Sequence, residues 1–203
     1  MISVRDIVVV TVTYGERWSL LHNALESCIR EGIRNFIIVG NGVTYNISDR
    51  LESCFPDINI SLYLSDINKG SAYGFRTGLS EALRSGKDYI MLFDDDAEMQ
   101  SGCMDRLIRS YTDVVKTYGV ENTIVSAVRL EHLSDLTEGI LQKSLKQKNA
   151  FRRFHLFDLA RRLLTRLNII KFEYSDFDRV SVPYTVYSGL LFNKSLIDRH
   201  GLP

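Results

Sequence analysis

An apolar run from Tyr89 to Phe93 ends abruptly in Asp94, Asp95 and Asp96. No other stretch constrains the chain as much. A short, continuous apolar run bounded this sharply suits a strand buried on both faces of a parallel sheet. Open α/β sheets hold their ligands at the carboxyl ends of such strands. Adjacent carboxylates resist joint ionisation unless a cation neutralises them. Mg2+ is commonly held by one or two carboxylates together with substrate phosphates. The stretch therefore predicts a metal–diphosphate site at the end of a central strand. The competing reading is a solvated acidic turn or a helix start, where Asp is also favourable. The strand-to-acid junction and the remaining chain favour the site.

The preceding residues supply the rest of such a sheet. Ile7 to Val12 is rich in β-branched residues and reads as a buried first strand. It runs into Thr13, Tyr14, Gly15, Glu16 and Arg17. Tyr14 can stack on a base and Arg17 can pair with a phosphate; the plainer reading is a helix start with a surface arginine. Ser19 to Gly32 has helical spacing through Leu21, Ala24, Leu25, Cys28 and Ile29. Asn35 to Val39 is a second strand. Gly40, Asn41 and Gly42 then suit either a tight turn with positive φ or a backbone held close to a base or ribose. Asn46 to Cys54 reads as a helix and Asn59 to Leu64 as a third strand. Strands alternating with helices predict a doubly wound parallel sheet.

Glycines 70, 74 and 78 recur at helical spacing, so a helix over this segment carries them on one face. Each costs roughly 1 kcal/mol relative to alanine in a helix interior. The segment therefore predicts close approach to the sheet or to a ligand. It contains neither GxGxxG nor a P-loop ending. Lys69 and Arg76 are candidates for phosphate or sugar hydroxyls, or else solvated charges. Leu79 to Ser85 continues the helix. Beyond the aspartates, Cys103 to Tyr118 is an amphipathic helix and Asn122 to Val128 a strand. Val180 to Val186 reads as an edge strand around Pro183, and Ser195 to His200 as a short helix stopped by Gly201.

The 25 basic and 25 acidic residues balance, which gives no electrostatic pointer to nucleic acid. Cys28, Cys54 and Cys103 have no metal-ligand spacing and cannot all pair, so a reducing compartment is expected. No apolar stretch approaches the ~18 residues of a membrane span, and no signal-peptide pattern is present. A cytoplasmic location is the expectation. From Gly139 to Phe172 basic and apolar residues interleave, with Asp158 as the one interior acid after the first turn. That pattern suits peripheral contact with an anionic inner membrane face, or an inserted element packed on the body.

Taken together, the motifs resemble family 2 of the inverting glycosyltransferases, which have a GT-A fold. Thr13 to Arg17 resembles the family's threonine, tyrosine, asparagine and basic residue after the first strand, with Gly15 in place of asparagine. Val39 to Gly42 resembles its second-strand end, with Gly40 in place of an aspartate. Asn68 to Gly78 resembles its Asn-x-Gly-x-Ala segment, and Asp94 to Asp96 its DxD-type motif. Ser188-Gly189 and Leu190 to Pro203 resemble the acceptor side of polysaccharide-building members, including rhamnosyl- and galactofuranosyl-transferases. The likeness is weakest from Gly139 to Phe172.

The resemblance implies an α/β, three-layer GT-A sandwich with a mostly parallel, Rossmann-like sheet. It implies one domain over 1–203, with a nucleotide-sugar-binding half (1–128) and a partial acceptor half (129–203). A UDP- or dTDP-sugar would be held by Thr13, Tyr14, Gly15, Arg17, Asn41, Asn68, Lys69, Gly70, Arg76, Asp94 and Asp95. Mn2+ or Mg2+ would sit on Asp94 and Asp96, with Asp94, Asp95 and Asp96 as the catalytic aspartates. The acceptor would be a glycan or a lipid-linked molecule in cell-wall or other cell-surface polysaccharide synthesis. The family's catalytic base follows shortly after the segment that ends here, and Asp176, Asp178 and Asp198 do not occupy its pattern. The expectation is a truncated chain that binds donor but transfers sugar poorly. Two other readings stand beside this one. A sugar-nucleotide nucleotidyltransferase wants a glycine-rich basic loop after the first strand, and Thr13 to Arg17 offers one glycine. The other is a non-catalytic nucleotide-binding or signalling module; a receiver-type domain wants acids after its first strand as well as its third, and Val12 to Tyr14 has none.

Overall fold

The computed structural model describes residues 2–127 and 188–202. The basic segment, the Val180–Val186 strand, Asp176 and Asp178 lie outside them. The described residues fall in a single compact unit. In chain order its elements are a 3-10 turn Val4–Asp6, β1 (Ile7–Gly15), α1 (Trp18–Arg30), β2 (Asn35–Val43), α2 (Ile47–Cys54), β3 (Asn59–Ser65), α3 (Ser71–Arg84), β4 (Tyr89–Leu92), α4 (Cys103–Tyr118), a 3-10 turn Val120–Asn122, β5 (Ile124–Ser126), β6 (Leu190–Asn193) and α5 (Ser195–His200).

The strands form one six-stranded sheet in the order β3-β2-β1-β4-β6-β5. β1 runs parallel to β2 and β4, and β2 to β3. β6 alone is reversed, lying antiparallel between β4 and β5. Side chains on a strand alternate between faces, and here both faces are covered. Ile7, Val9, Phe36, Ile38, Met91 and Leu191 join Leu21, Leu25, Met104 and Leu107 of α1 and α4 on one side. Val8, Val10, Ile37, Val39, Ile90 and Phe192 join Phe75, Leu79 and Ile197 of α3 and α5 on the other. The expected GT-A-type arrangement of helices on both faces of a mostly parallel, Rossmann-like sheet is what the chain adopts. No helix among the described residues is long and apolar enough to cross a membrane.

Gly74 and Gly78 of the glycine stripe meet the sheet. A Cβ on Gly74 would lie 2.5 Å from Val12 Cγ1, and one on Gly78 would lie 2.4 Å from Val10 Cγ1. Gly70 is the N-cap of α3, at φ 88°. Of the two readings of Gly40 to Gly42, the tight turn does not form, because β2 continues to Val43 and pairs Gly40 with Leu64 and Asn41 with Ser65. Of the two glycines only Gly42 takes a positive φ, at 74°. Strand pairing on both sides overrides the local turn preference of these residues.

The loop after β4 is held from two directions. Buried Ser27 of α1 accepts a hydrogen bond from Met99 N–H at 2.9 Å. Buried Ser188 accepts one from Asp94 N–H at 3.1 Å, and Gly189 N–H donates to Leu92 O at 2.7 Å. The start of α4 is capped from a distance by Glu31, whose two oxygens accept from Gly102 and Met104 N–H, each at 3.0 Å. A carboxylate there satisfies orphan donors and complements the helix dipole. Glu31→Ala is expected to cost about 1 kcal/mol in urea unfolding. An unchanged midpoint would remove the capping role.

Candidate functional site

β2 and β3 lie to one side of β1, and β4 to the other. The carboxyl ends of β1 and β4 therefore diverge at a topological switch point, the place where open α/β sheets bind ligands. β1 delivers Thr13, Tyr14, Gly15 and Arg17 there; β4 delivers the aspartates. Gly15 sits at φ 54°, with open space where a Cβ would be. That left-handed region favours glycine and tolerates asparagine.

The aspartates do not act as one cluster. Asp95 is 4% exposed, Asp94 is half-buried, and Asp96 is exposed. Among the described residues no three His, Cys, Asp or Glu side chains gather to hold an ion by themselves. Arg17 meets two of the aspartates, Asp95 and Asp96. Its Nη2 donates to Asp95 Oδ1 at 2.8 Å and to Asp96 Oδ2 at 3.0 Å. Its Nη1 donates to Tyr14 Oη at 2.7 Å, with the guanidinium 4.7 Å from the Tyr14 ring centre. The sequence reading had Arg17 either on a phosphate or in solvent; the fold places it on the carboxylates. Thr13, Tyr14, Arg17, Asp95 and Asp96 thus come together.

Burial raises the Asp95 pKa. Thr13 and Arg17 oppose the rise, and Asp96 adds to it. For Arg17, burial pulls downward and Asp95, Asp96 and Tyr14 outweigh it, so its charge is secure. Four buried polar atoms close by have no hydrogen-bond partner: Thr13 Oγ1, Arg17 Nε, Tyr45 Oη and Asp95 Oδ2. The Thr13 hydroxyl lies near enough to Asp95 and Tyr45 to favour their ionised forms. Unmet buried polar atoms cost about 1–3 kcal/mol each, so this end of the sheet has capacity for a polar ligand or bound water.

A raised carboxylate pKa has a defined sign in stability. Above 3.8 the unfolded chain loses the Asp95 proton while the folded chain still holds it. Folding therefore loses stability from that pH up to the raised folded pKa, and the loss is constant beyond. Urea unfolding of wild type and Asp95→Asn across this range is expected to show wild type losing ground as pH rises. A difference independent of pH would count against a strained Asp95.

A second polar knot lies at the ends of β2 and β3. Asn41 is buried, and its Nδ2 donates to Asn68 Oδ1 at 3.0 Å and Gly70 O at 2.9 Å. Its Oδ1 accepts from Lys69 N–H at 3.0 Å, and Asn68 Oδ1 accepts from Gly70 N–H at 2.8 Å. Asn41 thus shapes the loop entering α3. Lys69 is exposed, 4.6 Å from the Tyr73 ring centre. Arg76 is exposed on α3, on the side away from Gly74 and Gly78. Gly40, where the resembled family has an aspartate, faces Leu64, whose Cδ2 would lie 2.7 Å from an added Cβ. Leu64 and Ile67 are exposed at this rim. The sequence reading missed Tyr45, Leu64 and Ile67. Leu64 was legible as the last residue of the third strand; Tyr45 carried no signal of its own.

The donor chemistry at Asp94 to Asp96 is hard oxygen, which fits Mg2+ or Mn2+.

The family model for glycosyl transferase family 2 matches residues 8–201. The chain belongs to that family. Family 2 membership agrees with the mostly parallel sheet flanked by helices. No curated protein matches significantly. Among solved structures, TarS 1-349 of S. aureus is similar at TM-score 0.56 and 10% identity, over 96% of this chain and 48% of that one. A 4-diphosphocytidyl-2C-methyl-D-erythritol synthase is similar at TM-score 0.50 and 13% identity, over 98% of this chain and 79% of that one. The mannosyltransferase PcManGT from Pyrobaculum calidifontis, in complex with GDP-Man and Mn2+, gives TM-score 0.47 and 20% identity, over 61% of this chain and 35% of that one. The chain therefore spans about half the length of the TarS chain that it matches.

Proposed function

We propose that this family 2 chain binds a nucleoside-diphosphate sugar, with UDP or dTDP as its nucleotide, and a divalent ion at the switch-point edge. It contributes the donor site of a transferase that moves the sugar, with inversion, to a glycan or lipid-linked acceptor in cell-surface polysaccharide synthesis. The supporting observation is the meeting of Arg17 and Tyr14 with Asp95 and Asp96 at that edge.

The residues divide the work. Asp96, with Asp94, holds Mg2+ or Mn2+. When bound, the ion supplies charge neutralisation for the departing diphosphate. Asp95, buried and anchored by Arg17, keeps the end of β4 in place and offers Oδ2 to a ligand hydroxyl. Tyr14, 45% exposed, offers a face on which a base can stack. The knot around Asn41 presents exposed Lys69 toward phosphate or sugar hydroxyls. Residues 1–128 form the nucleotide-sugar half and 129–203 part of the acceptor half, with Ser188 tying the second to Asp94. The basic segment from Gly139 to Phe172 supports peripheral contact with an anionic inner membrane face.

Calorimetric titration with UDP, dTDP and GDP, with and without Mn2+, tests the reading. UDP or dTDP is expected to bind with Mn2+ and at least about tenfold more weakly without it. Metal-independent binding, or no binding, would overturn it.

A further inference from the structure

We propose that Arg17 is a resident counter-cation of the aspartate edge and competes with the divalent ion for Asp96. The inference rests on the metal-dependent reading above and deepens it. One nitrogen of Arg17, Nη2, serves both Asp95 Oδ1 and Asp96 Oδ2. A positive charge therefore already lies between the two carboxylates. Both bonds are short, but their surroundings differ. The Asp95 side chain is 6% exposed and the Asp96 side chain 45% exposed. A buried charge pair is costly to break, whereas an exposed pair contributes about 0–1 kcal/mol. The Arg17–Asp95 link is the fixed one and the Arg17–Asp96 link is the exchangeable one.

Tyr14 holds the other arm of the fork at 2.7 Å, so the guanidinium keeps its place when Asp96 leaves. Arg17 Nε, buried without a partner, leaves the guanidinium a donor unused by the protein. An ion arriving on Asp96 must displace its hydrogen bond from Arg17 and sit beside a fixed positive charge. An ion arriving with a diphosphate brings negative charge that offsets the repulsion and can accept from Arg17. The edge therefore discriminates against the bare metal ion and in favour of the ion carried by a nucleotide.

The test is Mn2+ binding to the 203-residue chain, read as loss of the free-ion electron paramagnetic resonance signal, with and without UDP. An opposite charge within ~4–6 Å shifts a carboxylate's proton affinity by 10- to 1000-fold. Arg17→Gln is therefore expected to bind bare Mn2+ at least about tenfold more tightly than wild type. Arg17→Lys, which keeps the charge, is expected to stay close to wild type. Asp96→Asn is expected to bind no Mn2+ with either residue at 17. Should Arg17→Gln fail to fold, the comparison is made on Asp95→Asn, where no buried carboxylate is left alone, with the same expected gain. Equal or weaker Mn2+ binding by Arg17→Gln, with Asp96→Asn still abolishing it, overturns the competition and leaves the metal reading standing. No Mn2+ bound by any of these proteins, with or without UDP, overturns both.

Discussion

Asp96→Ala is expected to remove the Mn2+-dependent part of nucleoside-diphosphate binding. Affinity for UDP in saturating Mn2+ should fall by about 100-fold, equivalent to about 2.7 kcal/mol, the scale of a lost hard-ion contact. The fold should be nearly untouched. The Asp96 side chain is 45% exposed, and its link to Arg17 is an exposed one worth about 0–1 kcal/mol. Buried Asp95 keeps its partner at 2.8 Å. Thermal unfolding run beside calorimetry separates the two effects. An unfolding midpoint that holds while metal-dependent affinity disappears supports the site. Mn2+-dependent UDP affinity that survives the substitution would remove Asp96 from the metal.

Gly78→Leu is expected to destabilise the chain by about 3 kcal/mol, out of a total of about 5–15. Any Cβ at Gly78 meets Val10 Cγ1 at 2.4 Å and Val39 Cγ2 at 3.4 Å. Val10 is fully buried on the central strand, and a β-branched side chain has little freedom to turn aside. The helix must lift from the sheet, opening the contacts of Phe75 and Leu79 with it. Better helix propensity returns only about 1 kcal/mol. Urea unfolding reads the cost. Because Asn41 ties the N-terminus of α3 to β2 through Gly70 O, the displacement should also weaken UDP binding. Unchanged stability would mean that α3 does not seat on its glycines.

Much of the fold was legible because it rests on local pattern. β-branched runs at Ile7, Asn35 and Asn59 became β1 to β3, and the Cys103–Tyr118 helix appears with the expected bounds. Glycines 74 and 78 were read as a close-approach face, and they are one. Gly40 to Gly42 misled because turn preference is local whereas pairing with β3 is not. The reversed strand β6 between β4 and β5 was hidden for a related reason. Its partners lie far away in sequence, and four residues of apolar strand carry no mark of direction.

The sequence by itself determined that three carboxylates leave a buried strand in a doubly wound sheet, because burial and periodicity are properties of neighbouring residues. Only the tertiary structure decided which aspartate is buried, and that Arg17, 78 residues away from Asp95, meets it. That choice depends on β1 lying beside β4, and on a buried charge needing a partner wherever the fold can supply one.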